Sequence, residues 1–368
     1  MIYLDNAATT LPKPPEVRAA VADALAHFGS LGRSGHRAAA LAEEMAYTCR
    51  ETAAELFDAS PEQVVFTMNC THGLNLALHT LVSTGDRIVV SGYEHNAVLR
   101  PLVGLGAQIV SARCPLFDQT AALSAFEELV TEDTKAVVIN HVSNVFGFVQ
   151  PLDEIAALCR GRGVPLIVDA AQSAGVLPLS LRELDAAFIA MPGHKGLYGP
   201  MGTGLLLCGD LPEPLLRGGT GSASRSMEMP DDLPDRVEAG TQNVPGIAGL
   251  LAGLRFVRAC GTEVIADRER RLKDRLAASL TGLPDLRVFL SAQAQTGVLS
   301  FCAGDRDCEI LGRELAERNF AVRAGLHCAP LAHETAGTLK TGTVRVSFSA
   351  FSTEADADRF AEAVGECL

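Results

Sequence analysis

The sequence predicts an α/β protein with two lobes, a large one on a mostly parallel sheet flanked by helices and a smaller α+β one. Three observations predict it. From about residue 60 to 210, short β-branched runs alternate with amphipathic stretches of helical length. The runs are continuously apolar, as strands covered on both faces must be. At 368 residues the chain is also too long for one ordinary core.

The expected strands are Val64 to Thr67, Ile88 to Val90, Ala136 to Ile139, Leu166 to Val168 and Phe188 to Ala190, with helices such as Gly73 to Leu81 and Leu152 to Arg160 as crossovers. Residues 212 to 245 lose all periodicity in a stretch dense in Gly, Pro, Ser and Asp, and loops of that length are usually functional or disordered. A helical pattern resumes from Gly246 to about Leu280. Strands at Gly297 to Cys302 and Thr343 to Phe348, with helices at Glu309 to Asn319 and Glu354 to Cys367, read as the smaller lobe. No internal repeat or low-complexity tract is visible.

Composition narrows the classes. With 48% hydrophobic and 20% charged residues the chain can bury a core, which excludes disorder. A net charge of −13 provides no basic stripe for nucleic acid. Ten cysteines without a repeated CxxC pair fit neither a disulfide framework nor a metal ribbon, so no metal is expected. The opening MIYLDNAATT lacks the regions of a signal peptide, and no run approaches the roughly 20 apolar residues of a membrane span, so a cytoplasmic location away from membranes is expected.

In an open parallel sheet ligands sit outside the carboxyl ends of the strands. The residues just past the apolar runs form a coherent set: Thr71 and His72, His95, Asn144, Asp169 and Gln172, and Lys195. Asp169 ends an apolar strand in LIVDAAQSAG, where an unpaired carboxylate is costly unless it meets a cation such as a pyridinium nitrogen. Lys195 lies between glycines in MPGHKGLYGP, where a desolvated amine can form an imine. Thr71 opens a helix whose free amides suit a phosphate. Taken singly, Lys195 reads as a solvated loop lysine and Asp169 as a helix cap.

DNAATT, CTHG, EHNAV, HVSNVFG, VDAAQSAG, GHKGLYGP, EAGTQN, RAGLHCAP and RVSF occur in this order, from residue 3 to about 353. Together they resemble the cysteine desulfurases of the class V aminotransferase superfamily, closest to the second-group, selenocysteine-lyase-like branch. The resemblance implies the fold-type I architecture with a seven-stranded, mostly parallel sheet. It places a large cofactor-binding domain at residues 12–250 and a small domain at 1–11 and 251–368 that carries a catalytic cysteine.

It also implies pyridoxal 5'-phosphate as cofactor, held by Lys195 as a Schiff base, with Lys195 later moving the α-proton. Asp169 would keep the ring nitrogen protonated, Gln172 would donate to the phenolic oxygen, and His95 would stack on the ring and serve as a catalytic acid or base. Thr71, His194 and the His72 backbone amide would contact the phosphate, as would Thr241 from the partner of a homodimer. Asn144 and Arg345 would hold the substrate, Arg345 by a bidentate grip on its carboxylate, with Asn6 and Ala7 at the same entrance. Cys328 matches the persulfide-forming nucleophile that converts L-cysteine to L-alanine; its short loop suggests a dedicated sulfur-acceptor protein or a small reductant. His327 and Arg323 give it the cationic company that favours a thiolate.

Three positions depart from the second-group pattern: Pro192 replaces a small hydroxyl residue, His72 an acidic one and Leu326 a histidine. They keep open a selenocysteine lyase acting on L-selenocysteine, a transaminase, and a scaffold relative without cofactor. The other cysteines, Cys49, Cys70, Cys114, Cys159, Cys208, Cys260, Cys302, Cys308 and Cys367, read as small structural hydrophobes.

Overall fold

A computed structural model describes residues 1–32 and 35–368. Its centre is a seven-stranded sheet in the order Val64–Thr67, Gly204–Cys208, Phe188–Pro192, Leu166–Asp169, Thr134–Asn140, Arg87–Ser91, Gln108–Ala112. All run parallel except Gly204–Cys208, which is antiparallel to both its neighbours. The expected fold class is therefore correct.

Continuous apolarity has the expected cause. Val64, Phe66, Val137, Ile139, Val168, Ile189 and Leu205 enter one core, while Val65, Ala136, Val138, Ile167, Ala190 and Leu206 enter another on the opposite face. Successive side chains of one strand thus serve separate helix layers. Gly204–Cys208 and the half-exposed edge strand Gln108–Ala112 were not among the strands read from the pattern.

Four antiparallel strands form a second sheet in the order Arg323–Gly325, Thr343–Ser347, Val298–Ala303, Leu286–Phe289, packed with helices Thr262–Thr281, Cys308–Glu317 and Glu354–Cys367 around their own core. The chain's first residues join this lobe: Ile2–Tyr3 pairs with Phe320–Ala321, and Asp5 bridges to Ser347.

The helical stretch expected from Gly246 to Leu280 is two helices, Val244–Cys260 and Thr262–Thr281, bent by 80° at Gly261. Gly261 has φ +83, which a residue with a Cβ adopts only with strain, so periodicity continues across a point where the backbone turns.

Two loops meet without side chains between them. A Cβ on Gly175 would lie 2.3 Å from the Gly196 carbonyl oxygen, and one on Gly196 would lie 2.4 Å from that of Ala174. This backbone contact sets the turn after Asp169 against the loop of Lys195. Gly175 also has φ +82, so Gly175→Ala should cost about 2–4 kcal/mol through overlap and strain together, measured as a lowered urea midpoint with unchanged slope.

Candidate active site

The carboxyl ends of the parallel strands open into one cavity. It is lined by Cys70, Thr71, His95, Asn140, Asn144, Asp169, Gln172, Pro192, His194 and Lys195. Seven of the residues singled out from sequence thus share a wall.

Asp169, the last residue of its strand, is buried and accepts from the Ala171 amide at 2.9 Å. Lys195 is half-buried. Its carbonyl accepts from Thr10 Oγ1 at 3.1 Å and the Tyr198 amide at 2.9 Å. Burial holds its ammonium below the ordinary lysine range; Arg345 and Arg323 push the same way, and Asp169 and Cys70 oppose them. A lysine so biased is primed to lose its proton and act as a nucleophile.

The carbonyl of His194 is gripped by Thr9 Oγ1 at 3.1 Å, the Thr10 amide at 3.1 Å and Lys13 Nζ at 2.9 Å, so the DNAATT segment clamps the GHK turn. Burial, with Lys195 and Lys13, pushes the His194 imidazole down to about 4. His95 caps helix Asn96–Leu105, its Nδ1 accepting from the Ala97 amide at 3.0 Å. That bond assigns the proton of neutral His95 to Nε2. Burial also lowers His95, as do Lys195, Arg323 and Arg345, against Asp169.

Helix Cys70–Leu81 begins at the cavity, with Thr71 exposed in its first turn. The His72 amide, expected at a phosphate, instead donates to the capping Asn69 Oδ1 at 2.9 Å, and the His72 ring lines a neighbouring pocket. Asparagine is a strong N-cap and competes for the same N–H. Gln172 Nε2 donates to the Ala7 carbonyl at 2.9 Å.

Substrate-side residues come from three distant segments. Arg345 is 1% exposed; it donates to Asp5 Oδ1 at 2.7 Å and to the Asn144 carbonyl at 2.9 Å, and its Nε is without a partner. Asn144 Nδ2 donates to the His327 carbonyl at 2.8 Å, and its buried Oδ1 is unpartnered. Asn6 Nδ2 donates to the Ser347 carbonyl and the Ala7 amide to Ser347 Oγ, both at 2.8 Å, so these two residues fasten the entrance segment to the smaller lobe.

Cys328 is exposed. His327 and Cys328 both have positive φ, 49 and 57. The Cys328 carbonyl accepts from the Asn96 amide at 2.8 Å, and Arg323 Nη2 lies 3.8 Å from Sγ. Leu326 is partly exposed at the head of this turn. Thr241 does not line the Lys195 cavity; it lies in a cleft of ≈ 730 Å³ with Arg50, Glu238 and Gln242.

The donor set fits pyridoxal phosphate. A carboxylate, an amine, an imidazole and a helix start converge, and Asn144 Oδ1 and His194 Nδ1 are buried polar atoms without protein partners. Such orphans are costly unless a ligand meets them.

Sequence reasoning passed over four contributors. Asn140, at the tip of its own strand, was reachable by the rule that found Asp169. Asp5 stood inside the quoted DNAATT motif with no sign that it pairs with Arg345. Cys70 stood inside the quoted CTHG motif but read as a structural hydrophobe, and Lys13 carried no signal.

Comparison with known proteins agrees with the geometry. The family model described as "Aminotransferase class-V" matches residues 2–360. A probable cysteine desulfurase of Methanothermobacter thermautotrophicus is 31% identical over 99% of this chain and 94% of its own length. A cysteine desulfurase of Shigella sonnei is 34% identical over 98% of this chain and 91% of its own. The chain spans 55% of a longer probable cysteine desulfurase from Mycolicibacterium paratuberculosis, at 35% identity. Among solved structures, the apo cysteine desulfurase of Thermococcus onnurineus superposes with TM-score 0.91 at 30% identity, covering 99% of this chain and 94% of that one. The Escherichia coli cysteine desulfurase CsdA gives 0.87 at 29% identity, covering 100% and 94%.

Buried ionisable groups set a pH optimum for stability. Burial pushes His141 and His333 down to about 4 and His327 well below its usual range. The unfolded chain takes up their protons first, so stability falls as pH drops below about 6.5. Burial raises Glu94 and Glu269 to about 8, so the folded chain keeps protons that the unfolded one releases, and stability falls as pH rises from about 4.5 towards 8. With His194 these strongly lowered histidines number four and outweigh the two glutamates below pH 6.5, and from there towards pH 8 the glutamates prevail. Each group contributes at most about 1.4 kcal/mol per pH unit. The urea midpoint measured from pH 5 to 8 should peak near pH 6.5.

Proposed function

The chain belongs to the class-V aminotransferase family and is a pyridoxal-phosphate-dependent cysteine desulfurase, and from that premise we propose how its own residues divide the work on L-cysteine, with Cys328 receiving the sulfur. The observation that carries this reading is the tethering of the cysteine turn. His327 is bound through its carbonyl to Asn144, a cavity residue, and Cys328 through its carbonyl to the amide next to His95. A nucleophile fixed by its backbone to the cavity rim can meet a sulfur that emerges there.

Lys195 would hold the cofactor, with Asp169 at the ring nitrogen, His95 beside the ring, and Thr71 and His194 towards the phosphate. When bound, pyridoxal phosphate supplies the electron sink that makes the amino acid's α-proton acidic. Lys195, once its amine is free, takes that proton; its lowered affinity for protons suits a base that must start neutral. Arg345 receives the substrate carboxylate, for which its unpartnered Nε is a free donor. Asn144, by its backbone carbonyl, orients the arginine itself, and its unpaired Oδ1 is an acceptor for a donor of the substrate such as its amino group.

The Cys328 thiolate then attacks the substrate sulfur. An S–S bond forms as the Cβ–S bond breaks, the electron pair of the broken bond returns to the carbon skeleton, and that skeleton leaves as alanine after protonation. Arg323 Nη2 stands 3.8 Å from the attacking sulfur. The persulfide then passes to an acceptor protein or a small reductant that reaches Cys328 from solvent.

Thr241 would serve the phosphate of a partner's cofactor in a homodimer. Its place in a separate cleft, away from its own Lys195, supports this reading.

Incubation with cysteine should leave one added sulfur on Cys328 by mass analysis, and Cys328→Ala should lower alanine release by roughly a thousandfold or more. Undiminished release of alanine and sulfide by that variant would sink the nucleophile assignment. For the shared site, Lys195→Ala and Thr241→Ala protomers are each expected to be inactive alone. Mixed, they form a hybrid with one complete site and regain activity; no recovery would show that Thr241 serves its own subunit.

A further inference from the structure

Cys70 stands where a purely structural cysteine need not. Its Sγ lies 3.4 Å from Asp169 Oδ1, it lines the Lys195 cavity, and it is the first residue of helix Cys70–Leu81. The same Oδ1 accepts from the Ala171 amide at 2.9 Å, whereas Oδ2 has no hydrogen-bond partner among the described residues. Asn144 Oδ1, 8% exposed as a residue and without a partner, lies in the wall of the same cavity and marks it as a ligand site.

Resting on the pyridoxal-phosphate reading above, we infer that Cys70 is a positioning residue for Asp169, its S–H donating to Oδ1 and so leaving Oδ2 as the oxygen for the ring nitrogen. Two donors on one carboxylate oxygen fix the side-chain torsion, which one donor does not. A thiol is a weak donor, so it orients the carboxylate while quenching little of its charge. A hydroxyl would orient it too but stabilise the anion more strongly. The group must be a thiol for this, since a thiolate could only repel Asp169. A helix N-terminus favours the thiolate, but burial and then Asp169 raise Cys70 well above its usual range and keep the proton on sulfur. A protonated thiol is also a poor nucleophile, which keeps Cys70 from competing with Cys328 inside the cavity.

Two measurements test this. The S–H stretching band of Cys70, isolated as the infrared difference between the parent and Cys70→Ala, should fall at the lower frequency of a hydrogen-bonded thiol and rise in Asp169→Ala. A band at the free-thiol position that does not respond to Asp169 would overturn the inference. Second, the dissociation constant of pyridoxal phosphate, titrated by the absorbance change on binding, should rise about three- to tenfold in Cys70→Ala and Cys70→Val, about half to one unit of log Kd. Cys70→Ser, which keeps a donor, should stay nearer the parent than either. Serine binding as weakly as alanine would reduce Cys70 to packing and overturn the inference. A parent chain that takes up no pyridoxal phosphate would defeat the functional reading instead, while leaving the infrared result to decide whether Cys70 holds Asp169.

Discussion

A guanidinium sealed from water organises this molecule. Arg345 lies on the central part of the small sheet, and its charge is balanced by Asp5, near the start of the chain, while the Asn144 carbonyl from the large lobe takes another of its protons. An isolated buried charge would be severely penalised, so the three segments must arrive together for any of them to be stable. Cross-strand pairing places Arg323 opposite Arg345, which adds like-charge repulsion to the same spot. The lobes therefore join where positive charge exceeds negative, which is what a carboxylate substrate requires.

From that junction the rest follows in short steps. The segment that carries Asp5 continues through Asn6 and Ala7 to Thr9, Thr10 and Lys13, whose donors close on the His194 carbonyl. The GHK turn is thus held from one side by the amino terminus and from the other by the bare backbone of Gly175. Behind the strand tips, Glu94 accepts from Ser91 Oγ at 2.6 Å and the Asn140 amide at 2.7 Å, which fixes the floor next to Asp169. Rigid support of this kind lets a few side chains keep productive geometry.

Much of this was legible in the sequence because strand burial and strand ends leave local marks. Val64 to Thr67 and Glu354 to Cys367 were read to the residue, and the positions after the apolar runs led to the cavity wall. What was not legible depends on contacts between distant segments or on backbone angles. The Asp5–Arg345 pair spans nearly the whole chain. Gly261 turns the backbone inside an unbroken helical pattern, and Asn69 captures the His72 amide by a local cap that competes with any anion. Cys70 looked like a core residue because its composition class is one; only its neighbour distinguishes it.

The cysteine turn has a consequence for whatever collects the sulfur. Two successive residues of the turn lie in the left-handed region and both their carbonyls are hydrogen-bonded to the large lobe, which ties its backbone to the cavity rim. A sulfur carried by Cys328, as proposed, would be offered from this held backbone. On the proposed assignment, a recipient would have to supply the reach, by an extended finger or by being small, and its shape would select which molecules are served.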